Sequence, residues 1–236
     1  TSPYPSPSPT PTSTTTPIPT PTLIEAAWFS ENPYPAGCML VSMWINTSTD
    51  IFAVGQKGTI VRFNGTSWIQ MYTDRPENLT GVWGTSGTNV FAVGEKGLVL
   101  KYNGTRWIRQ DVPVSQDLNG ITGFGPSQAY IVGKTGTIMR YNGKAWIQMS
   151  SGTNENFNGI WGASPTDIYI VGDNGELRHY NGSAWTKIPL TITESLSKIW
   201  GSSSTDIFIV GKGGCIIHFD GVSWNSFSGV GARSVT

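Results

Sequence analysis

The sequence predicts an all-β fold of five four-stranded antiparallel sheets, and three observations carry that prediction. A tryptophan recurs every 39 residues, at Trp68, Trp107, Trp146, Trp185 and Trp224, and a glycine does so at Gly55, Gly94, Gly133, Gly172 and Gly211. Before each of those glycines stands a run that is apolar at every position: residues 51–54, 90–93, 129–132, 168–171 and 207–210. A strand facing solvent on one side would alternate, so an all-apolar strand is covered on both faces. Tight-turn signals separate the runs, and no stretch has helical periodicity of useful length. Four antiparallel strands in about 40 residues, each sheet buried by its neighbours, describe the blade of a β-propeller.

Within the repeat that spans residues 79–110, the first strand is 79–83 and ends at Trp83. The matching inner positions are Trp44, Trp161 and Trp200, with Thr122 in the third repeat. The second strand is the apolar run 90–93. A Gly-x-x-Gly turn, Gly94 to Gly97, reverses the chain into the third strand, 98–102. Asn103-Gly104 is then a strong hairpin signal, read as a two-residue turn with positive φ at both residues. The fourth strand carries Trp107 and runs into a longer, variable connection. The outer tryptophans Trp68, Trp107, Trp146, Trp185 and Trp224 are expected to pack between blades.

Residues 38–236 form the propeller in this reading, preceded by two other segments. Residues 1–22 are rich in Pro, Thr and Ser, with almost nothing apolar to fold around. Such a chain favours extended polyproline II, and Thr10, Thr12, Thr14, Thr15, Thr16, Thr20 and Thr22 are candidates for O-glycosylation. The segment lacks the basic start and apolar stretch of a signal peptide. Residues 23–37 form a bridge in which 23–29, around Trp28, echo a fourth strand. The last blade already owns a fourth strand around Trp224. This orphan strand is therefore free to add to the outer edge of blade five or to the edge of another molecule. Val235-Thr236 stands at the repeat position of Leu79-Thr80, which is read as completion of the ring, with a truncated array as the alternative.

Only two cysteines occur. In a closed ring of five, the first and fifth blades are neighbours, and Cys38 and Cys215 are expected to staple them. A disulfide closing a loop of that length contributes roughly 4–5 kcal/mol in the chain-entropy model; the alternative is two buried free thiols. Sequons at Asn46, Asn64, Asn78, Asn103 and Asn181 are candidates for N-glycosylation, although three of them coincide with hairpin turns that explain the asparagine without a glycan. Together with the arm, these features predict an extracellular or cell-surface glycoprotein.

The repeat resembles a family of secreted bacterial propeller repeats written W-G-x-x-x-x-D-[VI]-[FY]-[AI]-V-G-x-x-G-x-[IL]-x-x-[YF]-[ND]-G-x-x-W, of which residues 199–224 are a close example. It is similar, more distantly, to the repeats of photosystem assembly factors and of Asp-box propellers. The resemblance spans roughly residues 40–224 and implies architecture; propellers host lectins, glycosidases and scaffolds alike.

Composition and site chemistry exclude several functions. Charged residues are 13% of the chain and balance to zero, so bulk attraction to nucleic acid is not expected. No apolar run approaches the ~18 residues of a membrane-spanning helix. Glycoside hydrolysis needs two carboxylates about 5–10 Å apart, yet the five inner strands contain no Asp or Glu. Asp50, Asp167 and Asp206 recur after a Thr and are expected to cap their own turns. His179 and His218 share repeat positions with Arg62, Lys101 and Arg140, which reads as a solvated or paired cation and not a metal ligand. The arginines, Arg62, Arg75, Arg106, Arg140, Arg178 and Arg233, form no cluster of the sialidase kind. No catalytic residue, metal or cofactor is expected. The sequence favours a structural or adhesive subunit, self-associating through the arm and the orphan strand into a fibre or surface assembly. A carbohydrate-binding, lectin-like module is the alternative, although the loops after the outer strands share no set of aromatics and amides.

Overall fold

The all-apolar second strand of each repeat decides the architecture, because it can be satisfied only between two other sheets. The computed structural model describes residues 38–227. The arm with its threonines, the strand echo at 23–29, and residues 228–236 lie outside the described residues. The first sheet comprises β1 (Leu40–Thr47), β2 (Asp50–Gly55), β3 (Ile60–Phe63) and β4 (Trp68–Met71). The second comprises β5 (Leu79–Ser86), β6 (Asn89–Gly94), β7 (Val99–Tyr102) and β8 (Trp107–Arg109). The third has β9 (Leu118–Gly125), β10 (Gln128–Gly133), β11 (Ile138–Tyr141) and β12 (Trp146–Met149). The fourth has β13 (Phe157–Ser164), β14 (Asp167–Gly172), β15 (Leu177–Tyr180) and β16 (Trp185–Lys187). The fifth has β17 (Leu196–Ser203), β18 (Asp206–Gly211), β19 (Ile216–Phe219) and β20 (Trp224–Ser226). Strands pair antiparallel in chain order within every sheet, so each sheet is one blade.

Side-chain alternation along the second strand fills two cores at once. On β6, Val90 and Ala92 pack with Phe52, Val54 and Ile60 of the first blade. Phe91 and Val93 point the other way, into a core with Leu118, Ala129, Ile131 and Met139 of the third. Fully burying one such side chain contributes about 1.5–3 kcal/mol, and no blade could bury both faces alone.

The inner strands add a closer contact. A Cβ placed on Gly84 would lie 2.9 Å from the ring of Trp44, and one on Gly123 would lie 2.5 Å from the ring of Trp83. The same holds for Gly201 against Trp161, at 2.7 Å. The ring of an inner tryptophan thus lies directly against a glycine of the next blade. In the third blade Thr122 cannot do this; Phe124, two residues on, takes its place and lies against Gly162 at 2.7 Å. The inner strands pack in the order β1, β5, β9, β13, β17.

Two expectations are corrected. The hairpin between third and fourth strands is not a turn with two positive φ values, since only its glycine, such as Gly104 at +95°, is left-handed. The asparagine acts through its side chain: Asn103 Oδ1 accepts from the backbone N–H groups of Thr105 and Arg106, each at 3.0 Å. Asn64, Asn142, Asn181 and Asp220 do the same in the other blades. The Cys38–Cys215 disulfide is absent, and both thiols are free. Cys215 faces the fourth blade, in a core with Tyr169, Val171 and Leu196, and so points away from the first. Burial, with the Glu194 charge nearby, pushes its thiol above the ordinary value, as suits a small apolar side chain. Among the described residues, β1 and β17 share no packing interface like those that join successive blades.

Blade four departs from the repeat in its core. Leu98 and Leu100 of blade two correspond to Glu176 and Arg178, which are both buried. Arg178 Nε donates to Glu176 Oε1 at 2.6 Å, and Lys187 Nζ lies 2.8 Å from Oε2. Breaking a buried pair leaves a charge uncompensated, whereas replacing both partners by apolar residues is neutral or stabilising. Arg178→Leu alone is therefore expected to destabilise the protein by about 3 kcal/mol, and Glu176→Leu/Arg178→Leu to recover that loss, both read from denaturant midpoints. Gly123→Ala is expected to cost about 1–3 kcal/mol through overpacking on Trp83. Gly125→Ala on the same strand, where an added Cβ meets nothing within 4 Å, should leave the midpoint unchanged.

Candidate functional site

The Gly-x-x-Gly turn between second and third strands builds the rim of the axial face. Its third residue is left-handed without being glycine: Lys57, Lys96, Thr135 and Asn174 have φ of 54° to 55°. That conformation costs an L-residue roughly 1–2 kcal/mol, and the following blade compensates it. The N–H of Lys57 donates to Asn78 Oδ1 at 2.9 Å, that of Lys96 to Asp117 Oδ1 at 3.0 Å, and that of Thr135 to Asn156 Oδ1 at 3.0 Å. The next residue, glycine, donates to a carbonyl of the same connection, as Gly97 does to Gln116 and Gly136 to Glu155. These bonds clip each blade to its successor.

The polar groups on this rim are paired with one another. Asn78 Nδ2 donates to Glu95, and Lys134 Nζ lies 2.7 Å from Asp117. Asp173 accepts from Asn156, Asn158 and Ser195 at 2.8–3.0 Å. The Lys134 ammonium and then the Lys96 N–H hold the Asp117 carboxyl below the usual carboxylate range. The Asn158 and Asn156 amides do the same for Asp173.

Inside the rim lies a cleft of about 480 Å³, lined by residues of all five blades. Val41, Thr80, Asn119 and Asn158 occupy equivalent inner-strand positions in blades one to four, and Lys198 enters from blade five. Thr80, Asn119 and Asn158 each donate to the first carbonyl of the next inner strand, at Leu118, Phe157 and Leu196. The lining offers amides, a hydroxyl and ammonium groups, with no carboxylate, thiol or imidazole. The Lys198 side chain is exposed and has no hydrogen bond or ion pair among the described residues.

The other sequence-selected residues lie elsewhere. Asp50 holds its own turn by accepting from Asn46 Nδ2 at 2.9 Å, and its other oxygen also accepts from Arg62 Nε at 2.7 Å across the sheet. Asp167 and Asp206 pair with His179 and His218 at 2.7 and 2.8 Å. The aspartate and the Arg or His at the two repeating positions therefore form one strut, and their joint occurrence in blades one, four and five was its signal in the sequence. Among the outer tryptophans, Trp107 stands edge-on to Phe52 of the preceding blade, Trp146 to Phe91 and Trp224 to Tyr169. Of the sequons, Asn46 and Asn78 use the amide nitrogen that would carry a glycan in hydrogen bonds to Asp50 and Glu95. Asn64, Asn103 and Asn181 are exposed and use only the amide oxygen.

A carboxylate with a lowered folded pKa stabilises the fold above its unfolded pKa, and that contribution is lost as pH falls through the folded value. Stability, followed by denaturant midpoint, is therefore expected to drop as pH is taken from neutral to below the ordinary carboxylate range. In Asp117→Asn/Asp173→Asn the same descent should be shallower, because two of the responsible groups no longer titrate.

No protein-family model matches the chain, and no curated protein matches it in sequence. Solved structures do match it in three dimensions. Against YCF48 from Cyanidioschyzon merolae the TM-score is 0.63 at 14% identity, over 82% of this chain and 73% of that one. The WD40 β-propeller domain of Doa1 gives 0.68 at 8% identity, over 82% and 70%. The WD40 repeats of RRP9 give 0.65 at 10% identity, over 76% and 61%. At such identities the likeness concerns the fold alone, and that fold is a β-propeller of four-stranded antiparallel blades.

Proposed function

We propose that this protein is a non-catalytic binding scaffold of the cell exterior, a rigid propeller that presents its axial cleft to a partner and is tethered by the Thr/Pro arm within a structural or adhesive assembly. The observation that carries this reading is how the polar side chains around the axis are used. Asp117 and Asp173 are engaged in holding successive blades together. The cleft lining retains hydrogen-bonding groups and the unpaired Lys198, a set suited to recognising polar groups and lacking an acid–base pair. The cell-exterior part rests on the composition of residues 1–22 and on the exposed sequons at Asn64, Asn103 and Asn181. A lectin role draws less support, because Trp107, Trp146 and Trp224 stand edge-on to an aromatic ring of the preceding blade, which accounts for their repetition by packing.

Self-association through the arm belongs to the same proposal. A polyproline-like segment has little entropy to lose on docking, and an exchanged arm and strand would link subunits in an open-ended, heterologous series. Deleting residues 1–22 is expected to leave a folded, monomeric propeller, while the complete chain assembles in sedimentation and negative-stain images. Assembly that survives the deletion, or a complete chain that stays monomeric at high concentration, would reduce the arm to a linker.

A further inference from the structure

Most polar groups of the axial cleft are already engaged, and the few that remain unused describe a ligand. Asn78 uses both ends of its amide, accepting from the Lys57 N–H and donating to Glu95. The Thr80 hydroxyl donates to the Leu118 carbonyl, and Lys134 is paired with Asp117. Asn119 Nδ2 donates to the Phe157 carbonyl at 2.8 Å. Asn158 Nδ2 donates to the Leu196 carbonyl at 3.0 Å and to Asp173 at 2.9 Å. These acceptors fix which end of each amide is nitrogen. The oxygens of Asn119 and Asn158 are left as acceptors with no partner among the described residues.

Lys198 supplies the one free charge, and its place in the repeat explains why it alone does so. The equivalent residues of blades two to four are Gly81, Gly120 and Gly159. A Cβ on them would lie 3.2 Å from Ile121, 3.2 Å from Ile160 and 3.3 Å from the Lys198 Cα, all on the next inner strand. A long side chain has no room at that position where another blade follows. On β17, which has no such neighbour on that side among the described residues, the position carries a lysine that reaches the cleft lining. Lys198 stands two residues beyond the carbonyl that holds Asn158. The ammonium and the two amide oxygens thus belong to three successive inner strands, β9, β13 and β17.

We propose, on the reading of the cleft as a recognition surface, that it binds a peptide through a carboxylate. Lys198 takes the carboxylate, and the amide oxygens of Asn119 and Asn158 accept backbone N–H groups beside it. Charge complementarity selects the anion, because the lining holds no carboxylate to compensate Lys198. A bare oxyanion such as sulfate would bring acceptors alone to a site with two free acceptors, whereas a carboxylate on a peptide arrives with N–H donors. Acidic sugars also carry donors, but no lining residue is aromatic, while Val41 and Leu79 add aliphatic surface suited to a side chain. A volume of about 480 Å³ is that of a site for a drug-sized ligand, so it admits a short peptide segment and not a folded domain. The carboxylate is either a chain end or an Asp or Glu side chain.

Binding of random heptapeptides, immobilised by their N-termini, to the complete 236-residue chain tests this. One library ends in a free carboxylate and the other in an amide. Selection from the first library alone identifies a chain end, and an acidic residue at a fixed position in both identifies a side chain. In either case Lys198→Met is expected to weaken the selected peptides by about tenfold or more, and Lys198→Arg to retain them. Neither variant should move the denaturant midpoint, because the side chain is exposed. N-methylation of the backbone beside the carboxylate is expected to weaken binding as well, and tolerance of it at every position would overturn the proposal. Peptides bound equally by Lys198→Met would also overturn it, while leaving the propeller a binding scaffold. Binding of an oligogalacturonate in place of any peptide, lost in Lys198→Met, would replace the peptide by an acidic sugar. Binding of neither would remove the scaffold reading together with this one.

Discussion

An aromatic ring lying on a glycine of the next blade is the contact on which the rest of this structure depends. A four-stranded sheet with apolar side chains on both faces cannot be stable alone, so each blade exists by being sandwiched. The inner strands converge on the axis, and there the separation between blades is smallest. Only a residue without a side chain lets the indole of Trp44, Trp83 or Trp161 lie against the neighbouring backbone. Blade three shows that the geometry, and not the residue name, is what matters. With Thr122 at the tryptophan position, Phe124 reaches the same spot over Gly162.

The polar layer is subordinate to this packing and follows from it. Once blades sit side by side, the left-handed turn of one falls next to the connection entering the next. Asn78, Asp117 and Asn156 accept its otherwise unpaired N–H. These bonds relieve a costly backbone conformation and fix the axial rim in one stroke. They also account for the carboxylates near the axis without invoking chemistry, and the cleft within is lined by amides, a hydroxyl and ammonium groups.

Departures from the repeat carry as much information as its regularity. Glu176 and Arg178 replace apolar residues in the core between blades three and four, and satisfy each other there at 2.6 Å. Ile45 interrupts the glycine series at the first blade, just where the array has no preceding tryptophan among the described residues. The two ends of the array are thus chemically different: one ends in a knob, Trp200, and the other lacks the matching hole.

The sequence by itself determined five four-stranded sheets, their strand order and, in blades one to four, the double-faced burial of the second strand; in blade five Phe208 and Val210 leave one face exposed. Period and unbroken apolar runs are local signals that survive without knowledge of neighbours. It also placed His179 and His218 at the position of Arg62, where each lies within hydrogen-bond distance of the repeat's aspartate. The tertiary structure alone decided what each residue faces. Cys215 was legible as a third-strand residue, but a strand has two faces, and only packing turned this one toward blade four and away from Cys38. Asn103 was legible as a turn residue, yet its role is carried by a side-chain oxygen and not by its own φ, which depends on where the next two N–H groups point. The axial cleft was not legible at all. Its lining comes from five blades, 39 residues apart, and becomes one surface only when the sheets are set around a common axis.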